Sequence, residues 1–235
     1  MTTYYEPGSK RTNLLTALPP EHFFSRVLRG CLSILAGVFL WSAFLWSAMP
    51  QPAAAGSRAR DNTAQAGNEA ALRNYFTDVS LINQNGQPMR VYSDLLKDKV
   101  VIINSFFTSC TSVCPMMARS ITKIQDRLGD RLGKDVHIIS ISVDPETDTP
   151  PRLKEFADKF NARPGWYFLT GKKADVEFTL RKLGQYVEAK DDHTTVIIMG
   201  NVRTGLWKKV MGMAAPEELI KAAESVLNDK GDDAK

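Results

Sequence analysis

With 235 residues, 43% of them hydrophobic and 24% charged, the chain holds enough apolar material for one ordinary globular domain and an additional segment. Its formal net charge of +4 is not gathered into a basic tract, so nothing in the composition asks for a nucleic-acid partner.

The apolar residues are unevenly distributed. Cys31 to Met49 carries no charged side chain and is long enough to span a bilayer. Arg26 and Arg29 lie just before it, which keeps the N-terminus cytoplasmic and sends the rest of the chain across. Ala53-Ala54-Ala55 before Gly56 is also a small-residue cleavage site, so a soluble periplasmic product released from a signal peptide is the alternative. The long N-region and long apolar stretch favour an uncleaved anchor, and Glu6 and Glu21 argue against a mitochondrial presequence. Residues 1–55 are therefore read as cytoplasmic N-terminus plus membrane anchor or signal segment. Residues 56–74 are read as a polar linker, and residues 75–230 as the functional domain. That domain is expected in the periplasm or an equivalent extracytoplasmic space.

Within the domain, Asp78 to Leu81, a turn at Asn85-Gly86 and Met89 to Tyr92 predict a short hairpin. The run Val100 to Phe107 suits a strand buried on both faces. Pro115 to Leu128 follows with Met117, Ile121, Ile124 and Leu128 on one helical face, ending at Gly129. Val136 to Val143 is the next strand, and Thr149 is placed to cap a helix that opens with Pro150-Pro151 and reaches Phe160. Trp166 to Leu169 predicts a strand, Lys172 to Leu183 a helix, Thr195 to Met199 and Leu206 to Met211 a hairpin, and Pro216 to Leu227 a closing helix. This order gives an α/β fold of three layers, a mixed central sheet with helices on both faces. It is the thioredoxin arrangement with one inserted β-α unit.

Cys110 and Cys114 follow the Val100 to Phe107 strand, at the edge of the sheet where ligands and reactive groups gather. If the chain turns helically from residue 110, a separation of four puts both sulfurs on one face, close enough for a disulfide or for one shared metal ion. The helix N-terminus favours the thiolate in either case. Of the three histidines, His22 lies across the membrane and His137 sits early in a strand as a packing residue. His193, just before the Thr195 strand, is the candidate third ligand. Two thiolates and an imidazole suit Cu(I), and zinc accepts the same set.

The stretch Phe106-Phe107-Thr108-Ser109-Cys110-Thr111-Ser112-Val113-Cys114-Pro115 resembles the Cys-x-x-x-Cys-Pro motif of the Sco/SenC family. Ser142-Val143-Asp144-Pro145-Glu146-Thr147-Asp148-Thr149-Pro150 is similar to that family's second motif, and Asp192-His193-Thr194 to its distal one. The resemblance implies a copper metallochaperone and thiol redox protein, more a chaperone than an enzyme, that assists assembly of the copper centre of cytochrome c oxidase. It implies Cu(I) or Cu(II) held by Cys110, Cys114 and His193, with the two cysteines also a redox-active pair. The partners it implies are the copper-bearing oxidase subunit or another copper enzyme, a copper donor protein, and the membrane through residues 31–49.

Other readings stay open beside this one. The cysteine pair also fits a thiol-disulfide oxidoreductase without copper delivery, a thiol peroxidase, or a structural disulfide. Asp192 reads as a solvated acid more readily than as an acceptor that orients the His193 ring. Met116, Met117, Met211 and Met213 read as gap-filling core residues.

Overall fold

The computed structural model describes residue 67 and residues 69–231, and the apolar stretch 31–49 lies outside them. Among the described residues, no helix is long and apolar enough to cross a membrane. Residues 69–76, which the sequence assigns mostly to a linker, form helix α1, whose Leu72 and Phe76 pack on the domain.

The elements that follow are β1 (Ser80–Asn83), β2 (Pro88–Arg90), a wide helical turn (Val91–Leu96), β3 (Val100–Phe106) and α2 (Val113–Leu128). After them come β4 (Val136–Ser142), α3 (Pro150–Lys159), β5 (Trp166–Thr170), α4 (Lys173–Leu183), β6 (Val196–Asn201), β7 (Leu206–Met211) and α5 (Pro216–Leu227). The strands form one seven-stranded sheet in the order β2-β1-β5-β4-β3-β6-β7. β3, β4 and β5 run parallel, while β6 is antiparallel to β3 and β1 antiparallel to β5. The sheet is mixed, as the element order implies.

The central strands show why their sequences are mostly apolar. Val100, Ile102 and Phe106 of β3 pack in one core with α2, α3 and α5, through Ile121, Ile124, Leu153, Phe156, Leu219 and Val226. Val101 and Ile103 face the other core, with α4 and the wide helical turn, through Val176, Leu180, Tyr92 and Leu95. A strand covered on both faces has no solvent side to mark with polar residues. Several polar exceptions pair with one another, although the buried Thr170 hydroxyl of β5 has no partner among the described residues. Ser140 Oγ donates to Asn104 Oδ1 at 2.7 Å and accepts from Trp166 Nε1 at 3.0 Å, joining β3, β4 and β5 through buried groups.

Three expectations shift. The hairpin begins two residues later than read, because Asp78 serves as acceptor for the amide and hydroxyl of Ser93, at 2.8 and 2.7 Å. Asn83 Oδ1 then closes the turn by accepting from the amides of Asn85 and Gln87. Tyr92, expected in a strand, lies in the wide helical turn. Thr149 occupies the cap position of α3, yet its side chain makes no capping bond. Pro150 and Pro151 begin that helix and supply no N–H, which removes donors that a cap would accept from.

Gly165, at φ +101°, lets the β5 entry pass against the β4 entry. A Cβ there would lie 2.3 Å from the Gly133 nitrogen, so only glycine fits without moving backbone.

Candidate metal centre

The site forms where β3 hands over to α2. Phe107 leaves the strand, the Cys110 amide donates to Phe107 O, and α2 begins at Val113, two residues earlier than the sequence reading places it. Cys114 therefore sits in the first helical turn, whereas Cys110 lies in the loop ahead of it. The expected run of helix from residue 110 is not formed. The two sulfurs meet by another route, because Cys110 Sγ turns back to accept from the Cys114 amide at 3.4 Å. Ser112, at the cap position, makes no side-chain capping bond, and the Cys110 sulfur fills that role.

This placement separates the two thiols. Burial of Cys110 works against its thiolate, but hydrogen bonds from Cys114 and from the amides of Cys114, Ser112 and Val113 outweigh it. Its pKa falls below the ordinary thiol value. Cys114 is only 2% exposed, and burial, followed by its hydrogen bond to Cys110, pushes its pKa up to about 12. Cys110 is thus the accessible nucleophile and first thiolate, with Cys114 behind it. Both cysteines are free thiols.

His193 follows a short helical turn, Lys190–Asp192, and is buried. Its Nδ1 lies 3.0 Å from the Lys190 carbonyl oxygen, and its Nε2 lies 3.2 Å from Cys114 Sγ. A carbonyl only accepts, so Nδ1 carries the proton and Nε2 presents its lone pair to the sulfurs. The Phe107 ring meets the imidazole edge to face at 5.2 Å between centroids, limiting its rotation. Cys110 Sγ, Cys114 Sγ and one His193 ring nitrogen all lie within 4.8 Å of one another. Two thiolates and a neutral imidazole, converging with the ring tautomer already set, are a donor set able to hold one soft metal ion.

The other candidates are placed elsewhere. His137 is buried in β4, with Nδ1 against the Leu95 carbonyl at 3.0 Å and its ring edge to face with Tyr167, and it is no part of the site. His22 and Cys31 lie outside the described residues. Asp192 does not orient His193, since the Lys190 carbonyl holds Nδ1. The gap-filling reading suits Met117, which is 1% exposed, but Met116, Met211 and Met213 are exposed.

The sequence reading passed over Asp148. It is fully buried, and its carboxylate accepts from the amide and hydroxyl of Thr108 and from Ser142 Oγ. It ties the loop carrying Cys110 to the end of β4. Its place in the second motif, two residues before the Pro150-Pro151 helix start, is the signal that could have found it.

Burial lowers the pKa of both His137 and His193, against the opposing effect of their carbonyl acceptors. The unfolded chain takes up protons near the ordinary histidine value of 6.5, which the folded metal-free chain resists. Stability is therefore expected to be full above that pH and to fall as pH drops from about 6.5 toward the depressed folded values. Denaturant midpoints between pH 7.5 and 5 measure this, and His137→Asn should flatten the slope. An unchanged slope would contradict it.

Comparison with known proteins places this geometry in a family context. A family model described as SCO1/SenC matches residues 67–228. A SCO1 protein homolog of Bacillus subtilis is 36% identical over 118 residues, covering 49% of this chain. The match spans 60% of that relative's own length. The structure is similar to Bradyrhizobium japonicum ScoI with copper bound, at 29% identity and TM-score 0.52, covering 63% of this chain and 96% of that one. It is also similar to BsSco, described as a member of the Sco family of cytochrome c oxidase assembly proteins with a disulfide switch, at 29% identity and TM-score 0.53, covering 63% and 90%.

Proposed function

Because the chain belongs to the SCO1/SenC family, matched over residues 67–228, we propose that it is a copper metallochaperone that holds one copper ion on Cys110, Cys114 and His193 and passes it to a copper enzyme. The observation that carries this reading is the convergence of both sulfurs and a ring nitrogen within 4.8 Å, at a site only partly closed to solvent. Copper is the cargo, and the thiolates favour Cu(I). Loading requires both thiols to lose their protons. Cys110 supplies the first thiolate, the buried Cys114 gives up its proton as the metal arrives, and copper retention weakens as pH falls. His193 needs no proton change at Nε2 once the Lys190 carbonyl has fixed its tautomer.

The client that the family relation favours is the copper-bearing subunit of cytochrome c oxidase. BsSco is described as belonging to a family of assembly proteins for that enzyme. The uncharged run 31–49, long enough to span a bilayer and preceded by Arg26 and Arg29, supports a membrane anchor with the domain on the extracytoplasmic side.

A second reading is favoured by the unequal cysteines. Cys110, accessible and with its pKa lowered, attacks a client disulfide, and Cys114 then displaces the client sulfur to leave a Cys110–Cys114 disulfide. The client cysteines are reduced and this chain is oxidised. The pair so oxidised holds no metal, so the two roles alternate in one molecule.

Anaerobic competition for Cu(I) tests the chaperone reading. His193→Ala is expected to weaken retention by at least about tenfold. An affinity equal to that of the unaltered chain would remove His193 from the site and leave thiol exchange as the better account.

A further inference from the structure

Resting on the metal reading above, the geometry points to Lys190 and Asp144 as a latch that holds the His193 loop over the cysteine pair. Between α4 and β6, residues 186–192 contain no strand and only one short helical turn. The upstream end is fixed by Gln185, whose Nε2 donates to the Val196 carbonyl at 3.0 Å. Beyond it, among the described hydrogen bonds, one side-chain bond ties residues 186–192 to another element. Lys190 Nζ donates to Asp144 Oδ2 at 2.7 Å.

Lys190 acts through both of its ends. Its carbonyl accepts from His193 Nδ1 and from the His193 amide, while its ammonium reaches the loop after β4. The same ammonium lies 5.4 Å from the centroid of the Phe107 ring, which packs against His193. A displacement of residue 190 therefore carries the imidazole with it.

Asp144 is a firm anchor, with its side chain only 13% exposed. Its amide donates to Ser142 Oγ at 3.0 Å, Ser142 Oγ donates to Asp148, and Asp148 accepts from Thr108. One continuous chain of polar contacts thus runs from the loop carrying Cys110 to the residue that orients His193. The ion pair thus adds a side-chain link between the two halves of the ligand set, beyond the β3–β6 pairing and the Ser105 Oγ bond to the Thr194 carbonyl that join them behind it.

The chemistry explains why a latch is useful. A ligand on a loop that is in position only part of the time binds more weakly in proportion to that fraction. A lysine with 40% of its side chain exposed makes a modest, salt-sensitive tether. Such a tether can let go when a partner's ligands compete for the metal.

The experiment measures Cu(I) affinity of the full chain by anaerobic competition, for Lys190→Met, Asp144→Asn, their double variant, Lys190→Arg and His193→Ala. Each single variant is expected to bind about threefold to fivefold more weakly, the double variant no more weakly than either, and Lys190→Arg close to the unaltered chain. In the His193→Ala background, Lys190→Met should have no further effect. The nitrogen-15 resonances of the His193 ring in metal-free protein read the same latch without copper. They should report an Nδ1–H tautomer in the unaltered chain and a mixture in Lys190→Met. Unchanged affinity and tautomer in both single variants, with His193→Ala still weakened, would overturn the latch and leave the metal reading standing. No effect from His193→Ala itself would overturn both.

Discussion

Cys114→Ser is expected to leave a folded chain that has lost Cu(I) retention by more than about a hundredfold. Substitutions beyond the direct ligands of metal sites commonly cost about 10- to 100-fold, and loss of a direct ligand should exceed that. Serine nearly preserves the volume in a pocket where Cys114 is 2% exposed, so packing changes little. The lost property is the soft thiolate beside His193 Nε2 at 3.2 Å. Cys110→Ser should show a similar loss of copper with a further difference that separates the two thiols. In the reduced metal-free chain at neutral pH, alkylating reagents should modify Cys110 far faster than Cys114, whose pKa stands at about 12. Anaerobic competition and mass-resolved alkylation measure both effects. Retention of copper by Cys114→Ser, or faster alkylation of Cys114, would contradict the assignment of roles.

The second large effect is on stability. Asp148→Ala removes a fully buried carboxylate that accepts from the Thr108 amide and from the hydroxyls of Thr108 and Ser142. Hydrogen bonds to charged groups contribute more than neutral ones, and donors left unpaired in the interior add their own cost. A loss of about 3 kcal/mol is expected, read as a lower midpoint in denaturant with an unchanged slope. Thr108 stands two residues before Cys110, so the metal-free variant should also lose the difference in alkylation rate between the two cysteines. A change below about 1 kcal/mol would mean that other contacts hold this loop.

The interior of the fold was the most legible part of the sequence. β7 and α5 occupy the residues read for them, and β3 and β4 end within one residue of their expected limits. Burial on both faces leaves a mostly apolar run with few polar interruptions, and a single buried helical face leaves a period near four. The hairpin was less legible because side chains, not periodicity, set it. Asp78 is spent on Ser93, and Asn83 closes the turn.

The three candidate ligands were found from residue type and order, and the structure brings them together. The contacts that hold them were not foreseeable in the same way. The Lys190 carbonyl orients His193 while Asp192 is exposed, and a main-chain acceptor carries no residue signature. Cys110 reaches Cys114 by replacing a missing helix cap, not by standing on the same helical face. The exposure of Met116, Met211 and Met213 depends on where the α2 and β7 ends emerge, which composition does not encode.

X-ray absorption at the copper edge of the reduced, Cu(I)-loaded full chain reads the ligand set itself. Two sulfur neighbours and one imidazole nitrogen are expected, with the nitrogen contribution absent in His193→Ala. A shell of sulfur alone, unchanged by that substitution, would contradict the three-ligand site.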